Sequence, residues 1–445
     1  MPAGLVFVLT ADLCFAIFLF VDWLRTPNPV RFVLDRELPE TVGLSNEFER
    51  RVRVSADSRL AKSYEIELHE DFPDSFEVIA RTDQEPLVLP QPGDLSGGPD
   101  RLRYSPDTDN VLRRNYRSAR RGQFRMGDLR LSVIGPMGLI KRQKRFAGSQ
   151  SIVVESALAN LRTTLALAAS ERWRDLGVRR RRRRGGQSEF ESLRDYVRGD
   201  DVRMIDWKAF ARRGKPTVRM FQEERGQELI VMFDCGRRMR STASLVGGET
   251  IADTRWTKLD WAFDAGLQLA AVALQQGDRV GIVVFDDNVQ AWVAPARGKR
   301  QFSRLREAVY GFQPSRRETN YSAVLRELAV RHRRSATVAI LSDVADPLSV
   351  EDQRRALASS SHRHKIVFAC LDDPEVRQLA EGSDAVQLSE TGSDLVLRAS
   401  AMSAVEGRRL SLRQLAGSGV RVLDALPADA AGPLLTAWLD ARRSG

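Results

Sequence analysis

The sequence predicts a multidomain protein with an N-terminal membrane helix, an antiparallel β-sandwich and a doubly wound α/β domain, in that order. Three observations carry this. An apolar run of 22 residues opens the chain, period-two alternation dominates residues 30–155, and from residue 228 short β-branched apolar runs alternate with helical stretches. The segments are 1–25 for the anchor, 26–155 for the sandwich, 156–227 for a basic linker and 228–445 for the α/β domain. At 445 residues and 42% hydrophobic, the chain carries enough apolar material for two or three packed cores.

Residues 3–24, "AGLVFVLTADLCFAIFLFVDWL", form a helix of about 33 Å, long enough to cross a bilayer. Asp12 interrupts the run, so its carboxylate is protonated, or it faces a partner helix, or the segment is not a simple lone span. No basic stretch precedes the run and no small-residue cleavage site follows it, which favours an anchor over a signal peptide. Positive charge lies on its C-terminal side, at Arg25, Arg31 and Arg36, so the positive-inside bias puts the N-terminus outside and the remaining domains in the cytoplasm.

In "SYEIELHE", Tyr64, Ile66 and Leu68 alternate with Glu65 and Glu67, and in "GDLRLSVIG", Leu129, Leu131 and Val133 alternate with polar neighbours. Both read as half-buried strands. The Pro/Gly-rich "LPQPGDLSGGPD" at 89–100 marks a long connection between strands. From residue 228, "ELIVMF", "RVGIVVF", "ATVAILS", "KIVFACL" and "VRVLDA" read as strands covered on both faces, with helices over 256–276 and 321–333 between them. That alternation implies a parallel sheet whose functional site lies at the carboxyl ends of its strands.

Composition narrows the function. Cys14, Cys235 and Cys370 are too few and too scattered for a disulfide framework or a thiolate metal site, which fits a reducing compartment. The net charge is +10, and residues 172–225 hold 17 basic against 9 acidic side chains. Within them the arginine run 179–184 is a flexible loop suited either to solvent or to anionic lipid. Nucleic-acid binding is disfavoured because no aromatic residues are interleaved with the arginines and no reading motif is present. Phosphate-loop, H-E-x-x-H and G-x-S-x-G motifs are absent, and the four histidines (His69, His332, His362, His364) are too few for the usual catalytic constellations. His362 and His364, in "SHRHK", are expected in a solvated turn.

In "FDCGRRM", Asp234 falls at the carboxyl end of the first α/β strand, Thr319 in "RRETNYS" precedes a helix, and Asp343 in "LSDVAD" ends a later strand. Here the chain resembles a von Willebrand factor A domain, whose metal-ion-dependent adhesion site combines D-x-S-x-S, a Thr and a late Asp. The three matching residues are Asp234, Thr319 and Asp343, while Gly236 and Arg238 stand in place of the serines. Magnesium needs octahedral oxygen ligands, so Gly236 removes one, and Arg238 is expected to place a cation near Asp234 and Asp343 instead. The expectation is a degenerate site with no cofactor; a retained Mg²⁺ site is the alternative.

The stretch 188–225, "SEFESLRDYVRGDDVRMIDWKAFARRGKPTVRMFQEER", resembles the signature of the bacterial domain-of-unknown-function family fifty-eight. The matching residues are Gly199, Asp200, Asp201, Arg203, Ile205, Asp206, Trp207, Ala211 and Arg212, preceded by Glu189, Leu193, Arg194 and Tyr196. Residues 120–139, 277–287 and 416–429 carry the resemblance further, though Gly135 stands where an Asp usually precedes the Pro. The resemblance implies a two-helix membrane hairpin, of which this sequence shows one helix, and association with MoxR-type AAA+ ATPases. Read on their own charges, Asp200, Asp201 and Asp206 among Arg194, Arg198, Arg203 and Arg212 form either a salt-bridge network or a docking surface with Trp207. Two functions are therefore expected. The first is a membrane-anchored, non-enzymatic adaptor working with such an ATPase in protein assembly or activation. The second is a Mg²⁺-dependent ligand-binding protein using Asp234, Thr319 and Asp343.

Overall fold

The computed structural model describes residues 2–57, 60, 62–80, 99–106, 108–158, 189–195, 207, 214–215, 217–222, 227–243, 256–344, 349–382 and 392–443. The chain divides into two compact units, Met1–Ala157 with Tyr310–Phe312, and Leu158–Val309 with Gln313–Gly445.

The first unit begins with the helix Pro2–Arg25, which is long and apolar enough to cross a membrane and exposes Phe7, Leu13, Phe18 and Leu24 along its length. A β-rich body follows. One four-stranded sheet orders Phe32–Glu37, Glu47–Ala56, Val111–Ser118 and Phe76–Ala80; another orders Lys141–Phe146, Leu129–Ile134, Tyr64–Glu70 and Asp100–Tyr104. All pairings in these two sheets are antiparallel. Their inner faces meet, with Phe32, Val52 and Val54 from the first packed in one core with Ile66, Leu68, Leu131 and Val133 from the second. A smaller three-stranded sheet contains a parallel pair, Thr41–Gly43 beside Gln150–Glu155, which the alternation did not signal.

This sandwich buries charge as well as hydrocarbon. Arg36, Arg50 and Arg114 from one sheet meet Glu70 and Asp100 from the other. Arg50, 1% exposed, lies 3.0 Å from Glu70 and 2.7 Å from Asp100. Buried ions at that depth persist only when paired and hydrogen-bonded.

The helix is fastened to the sandwich at its C-terminal end. Asp22, fully buried, accepts hydrogen bonds from the Met137 amide at 2.9 Å through one carboxylate oxygen and from the Leu139 and Ile140 amides at 3.0 and 2.9 Å through the other. A Cβ at Gly135 would stand 2.4 Å from Asp22 Oδ2, so only glycine fits there. This accounts for the departure at that position: Gly135 makes room for a carboxylate that reaches the turn from the helix.

In the second unit a two-stranded hairpin, Glu189–Asp195 with Thr217–Gln222, precedes a six-stranded sheet. Its strands are β1 (Glu228–Asp234), β2 (Arg279–Phe285), β3 (Val289–Ala296), β4 (Thr337–Ser342), β5 (Lys365–Leu371) and β6 (Arg421–Ala425), in spatial order β3-β2-β1-β4-β5-β6. Helices α1 (Lys258–Gln275), α2 (Lys299–Val309), α3 (Tyr321–Arg331), α4 (Val350–Ser361), α5 (Pro374–Glu381), α6 (Gly392–Ala416) and α7 (Ala431–Arg443) complete it. The sheet is mixed rather than wholly parallel, because β3 returns antiparallel along β2. Only Asp286, Asp287 and Asn288 separate those strands, too few for the crossover that a parallel return needs. α1 starts two residues later than its apolar pattern, since Thr257 and Asp260 form a capping box.

His364 is buried, not solvated as "SHRHK" suggested, because it lies one residue before β5 and turns inward while His362 stays exposed. Among the described residues neither of its ring nitrogens finds a hydrogen-bond partner, and burial, aided by the neighbouring charges of His332 and Arg363, pushes its pKa down to about 4. A histidine depressed in the fold contributes stability that is complete above its unfolded value of about 6.5 and disappears as pH falls toward the folded one. The second unit is expected to lose on the order of 3 kcal/mol between those limits. Unfolding curves across that range should show the loss in the wild type and a much flatter profile in His364→Gln.

Candidate functional site

Every parallel strand of the sheet has aspartate at or next to its carboxyl end: Asp234 closing β1, Asp286 and Asp287 after β2, Asp343 after β4, Asp372 and Asp373 after β5, and Asp424 one residue before the end of β6. The carboxyl edge of an open α/β sheet is where ligands usually bind. Here it gathers carboxylates that the fold must satisfy.

Asp234 is 1% exposed, and its oxygens are taken by the protein's own donors. Oδ1 accepts from the Gly236 amide and the Thr319 hydroxyl, both at 2.8 Å. Oδ2 accepts from the Ser342 hydroxyl, with the Tyr321 hydroxyl 3.4 Å away. Burial pushes the Asp234 carboxyl above its ordinary value, against the pull of Ser342, Gly236, Thr319 and Tyr321.

Gly236 is constrained by the same cluster. A Cβ there would lie 2.4 Å from Thr319 Oγ1 and 3.0 Å from Asp234 Oδ1, so the Thr319 hydroxyl occupies the space where a side chain at 236 would begin. Gly236→Ala is therefore expected to cost about 1–3 kcal/mol by overpacking. Thermal unfolding should recover in part when Thr319→Ala is added, since that change removes the opposing oxygen.

Asp343 faces a different set of partners. Lys258 Nζ, at the first turn of α1, lies 2.9 Å from Asp343 Oδ2 and 3.8 Å from Asp373. Arg408, on α6, pairs with Asp343 and lies 3.2 Å from Asp372 and 2.8 Å from Asp424. Burial works against the Asp343 carboxylate, but Lys258 and Arg408 outweigh it and hold its pKa below the ordinary range.

Of the three residues matched to an adhesion site, Asp234 and Thr319 are bonded directly, whereas the Asp343 carboxylate turns to Lys258 and Arg408. The cation expected of Arg238 comes from those two residues instead. Arg238 donates to the Val344 carbonyl at 2.8 Å and lies 3.8 Å from Glu318. The arrangement does not fit octahedral magnesium, whose oxygen ligands are here engaged by internal donors. Among the described residues no group of three or more His, Cys, Asp or Glu is arranged to hold a metal ion.

Lys258, Tyr321, Ser342, Asp372, Asp424 and Arg408 were not singled out from sequence. The strand-terminal aspartates were legible as a pattern, but Lys258 and Arg408 sit in helical stretches whose apolar period gives no hint of an inward-facing cation. In the signature segment, Glu189, Leu193 and Arg194 lie on the first strand of the hairpin, and Trp207 is 61% exposed. Tyr196, Gly199, Asp200, Asp201, Arg203, Asp206, Arg212 and the arginine run 179–184 lie outside the described residues.

These residues can be set beside known proteins. Residues 192–407 match the family described as a protein of unknown function, DUF58. The DUF58 match takes in Asp234, Lys258, Thr319, Tyr321, Asp343 and Asp372, and ends one residue before Arg408. Uncharacterized proteins of Mycobacterium tuberculosis and Mycobacterium bovis are 28% identical to this chain over 211 residues, which is 47% of this chain and 62% of each of theirs. Among solved structures, a cohesin module from Clostridium perfringens aligns with a TM-score of 0.22 at 13% identity, over 28% of this chain and 96% of that one. A superoxide reductase from Ignicoccus hospitalis aligns with a TM-score of 0.15 at 16% identity, over 28% of this chain and 80% of that one. At these scores the likenesses carry no argument about fold or activity.

Proposed function

We propose that this chain is a membrane-anchored, non-enzymatic adaptor, and that its α/β unit is a von Willebrand factor A-like domain that engages its partner by protein contacts rather than through a metal ion. The observation that carries this is the state of the sheet's carboxyl edge. Asp234 is saturated by internal hydroxyl and amide donors, and Asp343 is neutralised by Lys258 and Arg408. A metal-bridging site would need those oxygens available to the ion.

The buried thiols support the non-enzymatic reading. Burial pushes Cys235 up to about 12 and raises Cys370 well above its ordinary value, so neither supplies thiolate at neutral pH. The strand order β3-β2-β1-β4-β5-β6, with Asp234 and Thr319 bonded at the edge, supports the von Willebrand factor A-like assignment. The partner class, a MoxR-type AAA+ ATPase acting in protein assembly or activation, is the one implied by the signature at 188–225. The apolar helix would anchor the chain in the cell membrane with the other domains in the cytoplasm.

The test is a pair of titrations on the full chain in lipid nanodiscs. Calorimetry with Mg²⁺ and Mn²⁺ is expected to be silent at physiological concentrations, while a purified MoxR-type ATPase from the same cell is expected to bind saturably. Metal binding at such concentrations would replace this reading with metal-bridged ligand recognition. Failure to bind any such ATPase would remove the proposed partner.

A further inference from the structure

The attachment between the N-terminal helix and the sandwich has a consequence for how the first unit meets a bilayer. The helix Pro2–Arg25 spans about 36 Å, slightly more than a hydrocarbon core of about 30 Å. Its last turn therefore reaches the interface, and Asp22 lies in that turn. The loop that Asp22 grips, residues 135–140, is held at the same depth as the helix end.

Three features of the loop suit that depth. First, Met137 and Leu139, whose amides bind Asp22, are 44% and 43% exposed, and the next two helix residues, Trp23 and Leu24, are exposed as well, so loop and helix end both present apolar side chains. Second, the polar groups that would forbid entry into a low-dielectric layer satisfy one another. The Asp22 carboxylate accepts from the Met137, Leu139 and Ile140 amides, so neither the carboxylate nor those amides depend on water. Third, cations lie at the helix end. Arg142 donates to the Trp23 carbonyl at 3.0 Å and stacks 4.6 Å over its ring, and Arg25, the last residue of the helix, and Arg31, six residues on, are exposed. Tryptophan and arginine are the residues that settle at headgroup level.

We infer that residues 136–139 form a second membrane contact, a wedge in which Met137 and Leu139 enter the boundary between headgroups and acyl chains of an anionic bilayer. Arg25, Arg31 and Arg142 hold the lipid phosphates around it. This rests on the reading of Pro2–Arg25 as a membrane span. In consequence the sandwich is seated on the leaflet instead of hanging from a flexible tether, and Asp22 is the residue that positions the wedge.

The experiment uses the full chain with Cys14→Ser, in vesicles of equimolar phosphatidylcholine and phosphatidylglycerol. A single environment-sensitive fluorophore is placed at Leu139→Cys, at Phe18→Cys inside the helix, or at Arg103→Cys on an exposed strand. Quenching by nitroxide lipids is compared with quenching by aqueous iodide. The expected result is that the labels at 139 and 18 are quenched by lipid and shielded from iodide, with the reverse at 103. Adding Asp22→Asn should raise iodide access at 139 several-fold while leaving 18 shielded, and replacing phosphatidylglycerol with phosphatidylcholine should lower lipid quenching at 139 several-fold. If 139 is as open to iodide as 103 while 18 stays shielded, the wedge is wrong and the span stands. If 18 is itself open to iodide, the span fails and the wedge with it.

Discussion

Arg408→Ala is expected to destabilise the α/β unit by roughly 3–5 kcal/mol, the loss typical when one partner is removed from a buried ion pair. The guanidinium bridges Asp343, Asp372 and Asp424, at the carboxyl ends of three neighbouring strands, and its side chain is only 13% exposed. Without it, Asp343 retains Lys258 and Asp372 retains Arg377, but among the described residues Asp424 keeps only the more distant Arg377, at 3.6 Å. Arg408→Lys should recover less than half the loss, because a single ammonium cannot reach three carboxylates as a planar fork does. The pH dependence gives an independent check. Asp343 is held below the ordinary carboxylate range, so its pairing contributes fully above about pH 4 and is lost as acid protonates it. Wild type should therefore weaken in acid more steeply than Arg408→Ala. Hydrogen exchange at β4 and β5 measures both effects, and an unchanged exchange rate in Arg408→Ala would show that the network is dispensable.

The second large effect is expected in the sandwich. Arg50→Met leaves Glu70 paired with Arg36 and Asp100 with Arg114 among the described residues, and should cost about 3 kcal/mol. The triple variant Arg50→Met, Glu70→Gln, Asp100→Asn should be less stable than the single one, since it also removes the carboxylates that pair with the buried Arg36 and Arg114. Denaturant unfolding of the first unit, followed through the Tyr116 and Phe72 environment near Arg50, would read this order directly. The opposite order would mean that burying Glu70 and Asp100 as ions costs more than their pairing with Arg36 and Arg114 returns.

Together the Asp234 hydrogen bonds and the Arg408 network change the meaning of the aspartates at the sheet edge. A carboxylate at the end of a parallel strand is a natural ligand for a metal or a substrate, and the sequence offers several. The fold spends them on internal pairs, and what remains outward at that edge is protein surface. That is why the proposed adaptor role rests on contacts between proteins.

Local patterns along the chain were enough to locate the elements. Period-two alternation put Ile66, Leu68, Leu131 and Val133 in a sandwich core, and continuous β-branched runs marked β1, β2, β4, β5 and β6, because burial on one face or on two leaves different repeats along a strand. They also placed Asp234, Thr319 and Asp343 at strand ends or loops of one unit. Only tertiary structure decided which charges meet. Lys258 and Arg408 are separated by 150 residues of chain and share Asp343, and Asp22 reaches across more than a hundred residues to the turn that Gly135 opens. Such partners leave no periodic trace, since an ion pair depends on where two side chains end in space and not on their spacing in sequence. The antiparallel turn of β3 was hidden for a related reason. Its half-exposed strand lacks the continuous apolar run that a central strand needs, and its direction follows from a loop too short for any other return.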